Sequence, residues 1–121
     1  MKHGKKTWLI PDAFYNSQSK GSQVSHESVC VLNTSDEDAS ICMTLYFEDQ
    51  DKLAGFDATC PAGRTHHIRM DKLVSKSGKK VPMDVPYAIL VESSIEVVVQ
   101  YSRLDTSQAE MALMTTVAYP V

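Results

Sequence analysis

Ile41-Cys42-Met43-Thr44-Leu45-Tyr46-Phe47-Glu48 sets the fold class. Ile41, Met43, Leu45 and Phe47 alternate with Cys42, Thr44, Tyr46 and Glu48, the two-residue period of a strand with one buried face. The same period runs through Ser25 to Leu32. There His26, Ser28, Cys30 and Leu32 face one way, and Glu27, Val29, Val31 and Asn33 the other. Further strands are expected at Thr7 to Ile10, Phe56 to Thr59, Arg64 to Met70, Tyr87 to Glu92, Ile95 to Ser102 and Leu113 to Tyr119. Polar stretches separate them at 16–23, 33–38, 49–55 and 71–80. Pro11 is read as ending or bending the first strand, since proline cannot donate to a ladder. Ser93-Ser94 is read as a connection between two paired strands. Short, regularly spaced strands with no long helix-period segment predict an all-β antiparallel sandwich or barrel, residues 1–121 forming one domain. Ser107 and Glu110 stand in capping-box spacing, so at most one short helical turn is expected, and there.

Val97, Val98 and Val99 are consecutive, as are Val29, Cys30, Val31 and Leu32. Such strands are apolar on both faces, whereas an antiparallel sheet normally leaves one face wet. Either they lie between two covered faces or a partner subunit covers the second one. A homo-oligomer is therefore expected.

The 121 residues carry a net charge of −3, which does not suit nucleic acid as the main partner. Only Trp8-Leu9-Ile10 follow the lysine-rich start before Pro11, too short a run for a signal peptide, and no stretch reaches the roughly 20 apolar residues of a membrane helix. A cytoplasmic location is expected. Three cysteines with no close-spaced pair read as buried thiols, neither a disulfide framework nor a zinc set. The acidic run Asp36-Glu37-Asp38 lacks the glycine and distal glutamate of a calcium loop.

The chemistry-bearing stretch is Gln100 to Ala112, where a strongly apolar strand ends in Arg103, Asp105, Gln108 and Glu110. Arginine is a rigid five-donor fork suited to carboxylate, phosphate or sugar hydroxyls. Asp105 is expected to hold that fork or to cap the turn after it. The pair reads equally as a structural ion pair at a strand end. His26-Glu27 and His66-His67 are adjacent, so each pair points to opposite faces and cannot easily converge on one atom. Arg64, Thr65, His66, His67 and Arg69 form a polar, partly cationic strip that suits a subunit seam or an anion- or sugar-binding cleft. No nucleophile elbow, phosphate loop or Cys-x-x-Cys is present, so no enzyme, metal or cofactor is expected.

Ser25 to Asn33 with Asp36-Glu37-Asp38-Ala39, then Pro61-Ala62, Arg64-Thr65, His67 and Arg69, then Val99-Gln100, Arg103-Leu104-Asp105, Gln108-Ala109-Glu110 and Ala112-Leu113 through Tyr119, resemble the Anabaena sensory rhodopsin transducer family. The resemblance runs from about Trp8 to Tyr119. It implies a jelly-roll β-sandwich and a four-fold homotetramer. It also implies a non-enzymatic cytoplasmic module for signal transduction or binding. Its partner would be a membrane photoreceptor or another protein, and its ligand a small sugar-like or anionic metabolite. By the same carry-over the ligand-binding positions are His26, Glu27, Arg64, His67, Arg69, Gln100, Arg103, Asp105, Gln108 and Glu110. Arg103 would be the main donor, positioned by Asp105. Two alternatives stand beside this: a small enzyme of sugar metabolism using Glu27 or Glu110 with a histidine, and a purely structural oligomer. Gly63, Tyr101, Ser107 and Met111 depart from the family pattern of arginine, histidine, arginine and asparagine. Tyr101 thereby removes a group that titrates near neutral pH.

Overall fold

β6, Pro86–Asp105, is a 20-residue strand that belongs to both layers of the molecule. The computed structural model describes residues 2–121. The other strands are β1 (Lys5–Phe14), β2 (His26–Asn33), β3 (Ala39–Phe47), β4 (Leu53–Cys60), β5 (Arg64–Arg69), β7 (Ala112–Val117) and β8 (Tyr119–Pro120). The first half of β6 pairs with β1 and β3, giving a sheet in the order β4-β3-β6-β1-β8. Its second half pairs with β2 and β7, giving the order β5-β2-β6-β7. Every pairing is antiparallel, and the two sheets face each other as a β-sandwich. No helix among the described residues is long and apolar enough to cross a membrane.

The expected break at Ser93-Ser94 is therefore a correction: the chain bends there without turning back. Neither serine adopts a positive φ. The Ser94 hydroxyl instead accepts the Ser40 N–H at 2.9 Å. The bend is fixed from the side. Trp8 Nε1 donates to the Lys5 and Val97 carbonyls at 3.0 and 3.1 Å. Gly4, at φ 97°, lies so close that a Cβ there would stand 1.9 Å from the Val97 carbonyl oxygen.

The alternation read from β2 and β3 is realised. Glu27, Val29, Val31 and Asn33 are buried with Ile41, Met43 and Leu45, and the core closes with Val97, Val99 and Tyr101. Val98 is half-buried on the outer face, opposite Leu32, which is 45% exposed. Three boundaries differ from expectation. β1 continues past Pro11, which sits in the register shift between Ile10 and Ala13, so no ladder bond is demanded of it. Residues 106–111 form no helical turn: the Ser107 N–H bonds the Asp105 carboxylate at 2.8 Å. The short helical turn is Met70–Lys72, of the tight three-residue kind. The last segment divides at the buried Ala118, whose N–H bonds the Val99 carbonyl at 3.0 Å, so that β7 lies in one sheet and β8 in the other.

Leu45 is fully buried on the inner face of β3. Leu45→Ala is expected to lower unfolding stability by about 2–5 kcal/mol in a denaturant titration.

Candidate functional site

A buried carboxylate lies where β1, β2 and both halves of β6 meet. Glu27 shares the inward face with Val29 and Val31, and only 1% of it is exposed. An ion so placed must be saturated with donors. Tyr87, from the first half of β6, donates to Oε1 at 2.6 Å. Tyr101, from the second half, donates to Oε2. The Phe14 N–H donates to Oε2 at 2.9 Å. Burial and the Glu27 charge push both phenols far above their ordinary value, Arg103 pulling the other way.

Arg103 carries this network to the surface. It stands directly opposite Glu27 in the ladder between β2 and β6. Its Nε donates to the Tyr101 hydroxyl at 3.1 Å, its guanidinium lies 5.7 Å from the Tyr101 ring centre, and Nη2 reaches the exposed Asp12 carboxylate and carbonyl at 3.4 Å. Asp12 also lines a cleft of about 230 Å³ between β1, β7 and β8, walled by Leu9, Ile10, Pro11, Met114, Val117 and Tyr119.

Of the predicted site residues, Glu27 and Arg103 are brought together. Asp105 does not hold Arg103, because it caps the turn at Ser107; Asp12 and Tyr101 hold it instead. His26 points outward, its Nδ1 2.8 Å from the Val24 carbonyl. Gln100, also on the outer face, bonds Thr115. Gln108 and Glu110 are exposed in the 106–111 loop. Arg64 lies opposite Asn33, at the far end of β2 from Glu27, about 20 Å along the strand. His67 and Arg69 line an open groove of about 430 Å³ between β4 and β5. Arg69 forks onto Asp71 with two bonds of 2.8 Å. Burial resists ionisation of Asp71, but Arg69 outweighs it and keeps the carboxyl below its ordinary range. Among the described residues no group of three or more His, Cys, Asp or Glu could hold a metal ion.

Tyr87, Tyr101 and Asp12 escaped the sequence reading. A signal for the tyrosines was present. Glu27 falls on the apolar face of its strand, and a buried carboxylate requires buried donors. Tyr87 and Tyr101 stand on the core-facing positions of β6 with polar tips to satisfy.

The chain matches the family described as Anabaena sensory rhodopsin transducer over residues 3–120. The crystal structure of Thermotoga maritima 1070 is 36% identical, with a TM-score of 0.88, over 98% of this chain and 97% of that one. The Anabaena sensory rhodopsin transducer is 34% identical, with a TM-score of 0.76, over 90% of this chain and 96% of that one. No curated protein matches the chain.

The raised phenol values define an alkaline limit. Above pH ~10 tyrosines ionise in the unfolded chain while Tyr87 and Tyr101 stay protonated in the fold. Their contribution is complete below pH ~10 and is lost as pH rises beyond it, by up to about 1.4 kcal/mol per pH unit for each. Denaturant titrations of the native protein and of Tyr101→Phe should show a shallower alkaline decline in the variant. Near neutral pH that variant should be less stable by about 1–3 kcal/mol, since Glu27 and Arg103 each lose a buried partner.

Proposed function

The chain belongs to the Anabaena sensory rhodopsin transducer family, and on that premise we propose that it is a non-enzymatic cytoplasmic binding and signal-transducing module, a homotetramer that works through protein contacts. The observation that carries this reading is the C-terminal ribbon. Residues 111–121 contain no charged side chain, yet Met111, Leu113, Met114, Val117, Tyr119 and Val121 are exposed. All of β7 is exposed, and it pairs by one edge only. Exposed strand edges are ordinarily protected by charge, proline or a covering element. Contiguous apolar surface of this kind marks a contact with another protein.

The cleft under the ribbon adds what interface centres usually contain: an apolar pocket, a methionine, a tyrosine and a neighbouring arginine. Asp12, in its wall, is tied to the Glu27 network through Arg103. The name of the Anabaena relative makes a rhodopsin the partner of that protein. Here the partner is a membrane photoreceptor or another protein presenting an uncharged face. Glu27 accepts from two tyrosine hydroxyls and a backbone N–H and is shut away from solvent, which supports a structural role over that of a general base. A second reading, capture of a small sugar-like or anionic ligand, is favoured by the groove that His67 and Arg69 share.

Light scattering on the purified protein at micromolar concentration should give the mass of a tetramer. Leu113→Asp with Val117→Asp should give monomers that keep the far-ultraviolet signature of the fold, because neither side chain contributes to the core. A monomeric native protein, or a double variant that still assembles, overturns the ribbon as the contact surface.

A further inference from the structure

We infer that the groove between β4 and β5 is a binding site for a small oxyanion of the phosphate class. The inference rests on the small-ligand reading above and is independent of the protein-contact one. β4 and β5 are consecutive in the chain, joined through Pro61-Ala62-Gly63, yet they are outer strands of different sheets with no ladder between them. The space where they diverge is a groove of about 430 Å³ lined by Asp57, Thr59, His66, His67, Arg69 and Lys72, with the apolar floor of the sandwich beneath.

The donors in this groove are arranged in three different states of readiness. His66 Nδ1 lies 2.6 Å from the Thr59 carbonyl, a bond that spans the two sheets. A carbonyl only accepts, so Nδ1 carries the proton and Nε2 is an acceptor in the neutral ring. Arg69 has committed Nε and one Nη2 hydrogen to Asp71, which leaves both Nη1 hydrogens and the second Nη2 hydrogen and fixes the plane of the fork. Lys72 and His67 make no side-chain hydrogen bond or ion pair among the described residues, so both are available.

Charge decides the class of ligand. Arg69 is balanced by Asp71, and Asp57 by Lys76 at 3.0 Å. Lys72 is then the surplus charge, in a protein whose net charge is −3. A neutral polyol would make no use of the Lys72 charge. An anion compensates it and takes hydrogen bonds from Arg69 Nη1. Asp57, paired with Lys76, is a negative charge at the rim and opposes an anion there.

The test tracks the histidine ring protons by nuclear magnetic resonance during titration with inorganic phosphate, against sodium chloride at matched ionic strength. His67 should shift and saturate with phosphate and not with chloride, while His3 stays in place. Lys72→Gln should weaken the response at least about tenfold, as expected for loss of a charge-assisted bond. Asp57→Asn should strengthen it. A sugar phosphate should bind and its parent sugar should not. Equal binding of the parent sugar overturns the oxyanion assignment while leaving the small-ligand reading intact. No saturable shift with any of these compounds, or an unchanged response in Lys72→Gln, overturns the site itself. Neither outcome bears on the tetramer, whose test is the mass of the ribbon variant.

Discussion

Burying one carboxylate constrains the rest of this sandwich. Glu27 sits 1% exposed among valines and must stay hydrogen-bonded, because an uncompensated buried charge costs several kcal/mol. Its donors come from β1 and from two positions on β6 fourteen residues apart, Tyr87 and Tyr101. Those positions lie in different sheets, so the chain can satisfy Glu27 only when β6 bends and both layers are in place. The bond set therefore ties the closure of the sandwich to the bend at 93–97, where Trp8 and Gly4 close in from β1 and its approach.

Arg103 extends the same constraint outward. It shares the Tyr101 hydroxyl with Glu27 and meets Asp12 at the mouth of the apolar cleft. The surface where the ribbon emerges is thus anchored to the most strictly satisfied part of the core. The opposite edge of the sandwich is built differently. There β4 and β5 diverge, and the His66 bond to Thr59 bridges them over an open, polar groove. One edge is apolar and joined to the Glu27 network through Asp12 and Arg103; the other is polar and holds uncommitted donors.

Strand faces were legible because the period of two is a property of the backbone, so the shared face of Glu27, Val29, Val31 and Asn33 could be read from spacing. The break in β6 was misread because two serines resemble a turn in composition, and nothing local reveals that each half pairs with different strands. The substitution of tyrosine at 101 read as the loss of a titratable group. In the fold it supplies the hydroxyl that binds Glu27 and Arg103, a role visible only once β2 and β6 are side by side. Asp105 is two residues from Arg103 and so seemed its natural partner, but the turn at Ser107 claims it, and Asp12 arrives from a strand 91 residues away.

By itself the sequence determined the β class, the two alternating faces of β2 and β3, a last strand within Leu113 to Tyr119 and the kinship of nearly the whole chain. These depend on backbone periodicity, composition and residue identity, which are local. Tertiary structure alone decided that β6 serves two sheets, that Glu27 is locked by Tyr87 and Tyr101, that Arg103 answers to Asp12, and that His66, His67, Arg69 and Lys72 share a groove. Each of these depends on register between strands distant in the chain, and register is set by the summed packing of the core.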